Sequence, residues 1–183
     1  MKLIAAGEIH GVMISNAKVF SDHRGDFSRF TPDFENPSEK FYVAISRNSA
    51  PGTIRGFHLQ KPPYAEEKNV SCLNGSILDV IIDLRKNSST FGCWAEIEMS
   101  ATNAQVLRVP HGVAHGFQTL TENTIVQYLL TSQYVDSSTI TLNPFYNSKI
   151  NWGETNPIVS DKDRNGLDFE AAASIFHEAQ NKA

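Results

Sequence analysis

Four side chains in this sequence have the types and spacing to move a proton and hold the negative charge that its removal leaves behind. Gly52 is followed by five residues and then His58, with Gln60 one spacer further on, and six residues separate Lys68 from Gly75. A second group, Pro110, Gly112 and His115, has the spacing P-x-G-x-x-H. A neutral imidazole is a suitable base because its pKa lies near working pH, and a fixed cation stabilises a developing oxyanion. That same ammonium is a poor neighbour for a divalent cation, and an amide is a weaker ligand than an imidazole. The set suits proton transfer without a catalytic metal, and no metal or other cofactor is expected.

The two spacings resemble the paired motifs of the cupin superfamily, G-x5-H-x-H-x(n)-E-x6-G and P-x-G-x2-H, which line the inside of one small antiparallel barrel. Gln60 stands at the second His position and Lys68 at the Glu position, so two of the four ligands of a metal-binding cupin are replaced. The resemblance implies that His58, Lys68 and His115 face one cavity.

The surrounding pattern provides elements to position them. Gly11 to Phe20 is apolar and β-branched and reads as one strand, running into a turn at Gly25. Further strands are predicted over Phe41 to Ile45, Ser76 to Leu84, Trp94 to Met99, Val106 to Val109, Gly116 to Leu120 and Thr124 to Thr131. Glu96 and Glu98 share one face of their strand, most simply a solvated one. Short strands separated by Gly, Pro and Asn indicate an all-β fold, a sandwich or barrel of which the jelly roll is the double-sheet version. From Thr141 the chain is loop-rich until a short C-terminal helix over Asp168 to Asn181, with Asp168 as N-cap. The expected architecture is a cupin-type jelly roll in a single domain over residues 1–183.

Bulk composition excludes other classes. A chain of 183 residues fits one domain with a substantial core. With 16 basic and 20 acidic residues, and a net charge of -4, it has no global field to draw it to nucleic acid or membrane. Any anionic ligand must be held locally. Cys72 and Cys93 belong to no C-x-x-C pair and read as buried reduced thiols. No apolar run approaches the length of a membrane span and no signal-peptide core is present, so a cytoplasmic protein is expected.

A closer resemblance covers Phe20 to Asp163. F-x-D-x-R-G-x-F at Phe20 to Phe27, G-x-x-R-G-x-H-x-Q at Gly52 to Gln60, Lys68, D-V-x-x-D-L-R at Asp79 to Arg85 and SSTFG at Ser88 to Gly92 occur in order. P-x-G-x-A-H-G-F at Pro110 to Phe117, Tyr128 and Tyr134 six apart, and Ser-x-Lys-Asp at Ser160 to Asp163 complete the series. Together they resemble the dTDP-4-dehydrorhamnose 3,5-epimerase family, cupin-type jelly rolls that act on nucleotide-linked 4-keto-6-deoxy sugars.

The resemblance implies a cofactor-independent isomerase in deoxysugar or surface-polysaccharide (O-antigen) biosynthesis. His58 would be the base that takes an α-proton, Tyr128 the acid on the opposite face, and Asp163 the partner that fixes the His58 tautomer. Lys68 would stabilise the enolate. Arg55 and Arg24 would clamp the diphosphate, Arg24 from across a homodimer interface. Gln60, His115 and Tyr134 would complete substrate binding, with Tyr134 offering an aromatic surface to sugar or nucleoside.

Several residues also have plainer readings. Alone, His58 and His115 read more readily as core histidines than as catalysts, Tyr128 is a core aromatic on an apolar strand, and Lys68 is a surface lysine after Glu66 and Glu67. His111 follows a proline in a turn and reads as exposed. Arg85 reads as the ion-pair partner of Asp83 or Asp79, and Asp161 and Asp168 compete with Asp163.

The chain departs from the family pattern in three places. Ile45, Arg47 and Ser49 occupy the N-x-S-x-S positions, Arg29 replaces a Glu, and DSSTITLNP from Asp136 to Pro144 replaces E-x-G-I-x-W. The residues for proton transfer are kept while those for substrate recognition change. A different nucleotide, or inversion at C3 or C5 alone, stays open. So do a 3,4-ketoisomerase on the same scaffold, a metal-dependent cupin oxygenase and a non-catalytic sugar-nucleotide-binding protein.

Overall fold

Successive side chains of a strand point to opposite faces, so two sheets can close on one another around their inward rows. The structure is a computed structural model that describes residues 2–30, 40–153 and 156–182. In chain order the strands are β1 (Met13–Asn16), β2 (Lys18–Asp22), β3 (Gly25–Arg29), β4 (Tyr42–Asn48), β5 (Thr53–Gln60), β6 (Lys68–Asn74) and β7 (Ser76–Asp83). They continue as β8 (Trp94–Ser100), β9 (Gln105–Val109), β10 (Val113–Thr119), β11 (Thr124–Leu130), β12 (Thr139–Thr141) and β13 (Ile158–Val159). Two helices follow, α1 (Asp161–Arg164) and α2 (Phe169–Gln180).

One sheet has the order β1-β9-β6-β11-β4 and the other β12-β5-β10-β7-β8, with β13 alongside β5. Inward side chains from both, among them Val70, Leu107 and Val126 from the first and Ile77, Ile81 and Phe117 from the second, form one apolar cluster. This is the expected all-β, jelly-roll sandwich. A second cluster lies on the outer face of the β5–β10–β7 sheet, where α2 packs Phe169, Ala172, Ala173 and Phe176 against Phe57, Leu59, Val80 and Ile82. The spacing of those four helical residues makes a single apolar stripe. Asp168 caps the helix, accepting from the Ala171 amide at 2.8 Å, as its sequence position predicts.

The stretch from Gly11 to Phe20 is two strands rather than one. β1 pairs with β9 in the first sheet, whereas β2 leaves it and, among the described residues, pairs with β3 alone, in a hairpin whose residues are all exposed. A β-branched run reads the same whether or not it changes sheet partner, so its pattern hides the break. The region after Thr141 is also less irregular than expected, since β13 runs parallel to β5 and leads directly into α1. Cys72 and Cys93 are both free, but only Cys72 is fully buried.

The feature that matters most for the site is an irregularity in β5. His115 is opposite His58 and Phe117 opposite Arg55, so three steps along β5 match two along β10. Such a bulge re-aims the side chains on one side of it. Arg55 and His58, an odd number of residues apart, consequently line the same cavity, while Ile54, Phe57 and Leu59 join the outer cluster. Gly56 makes this possible: its φ is +113°, and a Cβ there would lie 2.6 Å from Gly116 Cα and 2.7 Å from the His115 carbonyl oxygen. Gly56→Ala is expected to destabilise the fold by about 1 to 3 kcal/mol or more, from backbone strain and the clash with a neighbouring strand. Denaturant unfolding measures this, and an unchanged midpoint would show that the bulge accommodates a side chain.

Candidate functional site

Between the sheets the inward rows change character along their length. On β6 the row is Lys68, Val70, Cys72, and on β11 it is Leu130, Tyr128, Val126; the first members line a cavity of about 400 Å³ and the last enter the core. That volume lies within the range of about 300 to 1,000 Å³ usual for small-molecule sites. Of the residues singled out in the sequence, His58, Gln60, Lys68, Arg55, His115, Tyr128 and Tyr134 all border this one space.

His58 and His115 are directly opposed on β5 and β10, and each is held by a carboxylate. His58 Nε2 is 2.7 Å from Asp163 Oδ1, and His115 Nε2 is 2.8 Å from Asp79 Oδ2. An ionised carboxylate only accepts, so the ring Nε2–H is the donor in each contact. The His58 side chain is 37% exposed and that of His115 only 4%, so His58 is the more accessible imidazole.

Asp163 arrives through local chain geometry. β13 is hydrogen-bonded beside β5, and Ser160 then caps the single turn of α1 by accepting from the Asp163 amide at 3.1 Å. This directs Asp163 inward, whereas Asp161 and Asp168 stay exposed. Its second oxygen accepts from the Gly56 amide at 3.2 Å. Burial pushes the carboxyl pKa upward, but the His58 contact and the bonds from Gly56 and Ser160 outweigh it and hold the group below its ordinary value.

Lys68 is almost buried. Its ammonium donates to the His58 carbonyl oxygen at 3.1 Å and lies 3.5 Å from Glu66 Oε1. At the four positions where a cupin holds metal, this chain has two imidazoles already bound to carboxylates, a committed amide and an ammonium. That donor set does not fit a metal ion.

Tyr128 stands on the opposite sheet from His58, with its ring edge-on to His115 at a centroid distance of 5.9 Å. Desolvation, reinforced by the Asp79 carboxylate, raises its phenol pKa well above the ordinary tyrosine value. The phenol therefore remains a proton donor at neutral pH.

The remaining predicted residues divide into three groups. Arg55 is at the cavity mouth, its Nε donating to Asn48 Oδ1 at 2.8 Å. Tyr134 is on the rim, 65% exposed, and donates from its hydroxyl to Asp136 at 2.7 Å. Gln60 is 3% exposed and its amide is already committed: Nε2 donates to Glu66, Tyr64 and Gln133, while Oε1 accepts from the Val135 amide at 2.7 Å. It pins the segment that carries Tyr134. Arg24 is not brought to this cavity within one chain. It lies on the exposed β2–β3 hairpin, paired with Asp22 at 2.6 Å. Arg85 pairs with Asp83 rather than Asp79, at 2.8 Å, in a network with Ser88 and Thr90.

Three residues that border the cavity or hold its lining side chains were not singled out as site residues from the sequence: Glu66 lines it, Asp79 holds His115 and Asn48 holds Arg55. Asp79 lies in the D-V-x-x-D-L-R stretch, but nothing there indicates which aspartate turns inward. Glu66 reads as a surface charge because two glutamates precede Lys68, and Asn48 reads as part of a polar loop. Of the positions that depart from the family pattern, Ile45, Arg47 and Thr139 border the cavity; Arg29 lies on the hairpin strand β3.

The family model described as dTDP-4-dehydrorhamnose 3,5-epimerase matches residues 6–171. A relative of that name from Shigella flexneri is 37% identical over 176 residues, 88% of this chain and 93% of the relative. The crystal structure of dTDP-4-dehydrorhamnose 3,5-epimerase from Bacillus anthracis with TDP and PPi bound superposes with a TM-score of 0.78 at 36% identity, covering 86% of this chain and 94% of that one. A 3′-monoepimerase from Streptomyces bikiniensis in complex with dTDP-quinovose gives a TM-score of 0.81 at 27% identity, covering 100% of this chain and 96% of that one.

Proposed function

The chain belongs to the dTDP-4-dehydrorhamnose 3,5-epimerase family and is an isomerase, and from that membership we propose that it inverts carbons flanking the ketone of a nucleoside-diphospho-4-keto-6-deoxyhexose, dTDP-linked as in its relatives. The observation that carries this is the convergence of His58, Lys68 and Tyr128 on one cavity, with the imidazole and the phenol on opposite sheets.

A proton α to the C4 ketone leaves for His58 Nδ1, and the carbon–hydrogen electron pair moves into the ring to form an enolate. Asp163 favours the resulting imidazolium, as an aspartate does for the histidine of a hydrolase triad. The Lys68 ammonium meets the negative charge on the C4 oxygen. Tyr128 returns a proton from the other face, and its raised pKa keeps that proton available. The Tyr128 phenolate recovers its proton from solvent, and His58 releases the one it took.

Arg55 binds the diphosphate in the bidentate manner of guanidinium and phosphate. His115, held by Asp79, and Tyr134 border the sugar, while Gln60 acts by supporting the wall. Arg24 fits this scheme when a second copy of the chain supplies it, which makes the functional unit a homodimer. The exposed Phe20 and Phe27 on its hairpin suit burial against that partner.

Likeness over the whole chain to a 3′-monoepimerase favours a second reading, inversion at C3 alone. In D2O the wild-type protein is expected to incorporate deuterium from solvent at C3, C5 or both, and NMR of the recovered sugar separates single from double inversion. No incorporation into such a sugar on any nucleotide would overturn the function.

A further inference from the structure

We propose that Asn48 is a positioning residue for nucleoside-diphosphate binding: its carboxamide holds Arg55 by Nε and leaves the two Nη groups to face the phosphates. The inference rests on the reading of Arg55 as the diphosphate ligand. Asn48 ends β4, is 4% exposed, and shares the inward face of the sheet with Tyr128, as the register Tyr128 opposite Ala44 and Thr124 opposite Asn48 requires. Its carboxamide is held on both ends. Nδ2 donates to the Thr124 carbonyl oxygen at 3.3 Å, and Oδ1 accepts from Ser46 Oγ at 3.2 Å and from Arg55 Nε at 2.8 Å.

A guanidinium has five N–H donors in a rigid fork. With Nε anchored, the edge formed by the Nη pair is the one left for a bidentate phosphate contact, and among the described residues neither Nη makes a hydrogen bond. A flexible arginine side chain loses rotamer entropy on being fixed, so anchoring before the ligand arrives removes part of that cost.

The neutrality of the anchor is what distinguishes Arg55 from two other arginines of this chain. Arg24 is tied to Asp22 and Arg85 to Asp83, pairs in which the guanidinium charge is already balanced. Asn48 offers geometry without a negative charge, so the full positive charge of Arg55 remains for the phosphates.

The test is a double-mutant cycle on the full chain with dTDP and inorganic pyrophosphate as calorimetric probes, and with steady-state kinetics on the 4-keto sugar nucleotide. Asn48→Ala is expected to weaken both probes about tenfold and to raise KM by a similar factor, with kcat within about twofold, the signature of lost ground-state binding. In an Arg55→Lys background, which lacks the Nε donor, the same substitution is expected to have no further effect. A loss that persists undiminished in that background, or that appears only in kcat, overturns the proposal. Asn48→Ser is the milder replacement, and failure of both variants to fold assigns Asn48 to the scaffold and overturns it as well. If Arg55→Lys alone leaves dTDP and pyrophosphate binding unchanged, the reading of Arg55 fails, which is distinguishable from a failure confined to Asn48.

Discussion

His58→Ala is expected to lower kcat by about 10²- to 10⁴-fold, the usual range for removing a positioned general base, while the affinity for dTDP changes little. Among the described residues the imidazole makes one hydrogen bond to the scaffold, a 2.7 Å contact from Nε2 to Asp163, so its removal takes away the base without dismantling the sheet. Deuterium exchange into the sugar should fall together with turnover, because proton abstraction initiates both. Stopped-assay kinetics with NMR-monitored exchange measures the two rates on one sample. A variant that loses binding but keeps kcat would place His58 among the binding residues and leave the base unassigned.

Lys68→Met should lower kcat by about 10²- to 10³-fold, since one oxyanion donor contributes about 2.7 to 4 kcal/mol of transition-state stabilisation. Methionine retains most of the volume of the lysine stem, which limits the loss of packing. The substitution also strips Glu66 of the ammonium that lies 3.5 Å from it, although the Gln60 amide still donates to that carboxylate at 3.0 Å. The double variant Lys68→Met/Glu66→Gln separates the two effects. If an unbalanced carboxylate caused the loss, the double variant recovers; if the missing oxyanion donor caused it, the rate stays low. Recovery to near wild-type turnover would remove Lys68 from the enolate role.

The β-strand pattern and the capped C-terminal helix were legible because each depends on local spacing, whereas the composition of the cavity was expected only from the family resemblance. Alternation identifies inward positions within a regular strand, and Asp168 before an apolar stripe identifies a helix start. The hairpin at Phe20 to Phe27 and the pairing of Arg24 with Asp22 were not legible. A strand carries no mark of which neighbour it pairs with, and an arginine pairs with the nearest carboxylate, here Asp22 two residues away, unless a ligand or a second chain competes.

By itself the sequence determined an antiparallel β-fold, a pair of histidines and a lysine at the spacings of the cupin motifs, and a resemblance strong enough to suggest the reaction class. Tertiary structure decided which groups act on which. It put Asp163 rather than Asp161 or Asp168 against His58, gave Asp79 to His115 and Asp83 to Arg85, tied the Gln60 amide to the cavity wall, and brought Asn48 to Arg55 and Glu66 to Lys68. For Arg55 and His58 the reason is the bulge at Gly56, where an extra residue on β5 brings both to one cavity; for Asp163 it is the Ser160 cap beside β13 that turns the carboxylate inward. Spacing along a chain specifies which side chains exist at each step, but only the packing of one strand against another decides the direction in which they point.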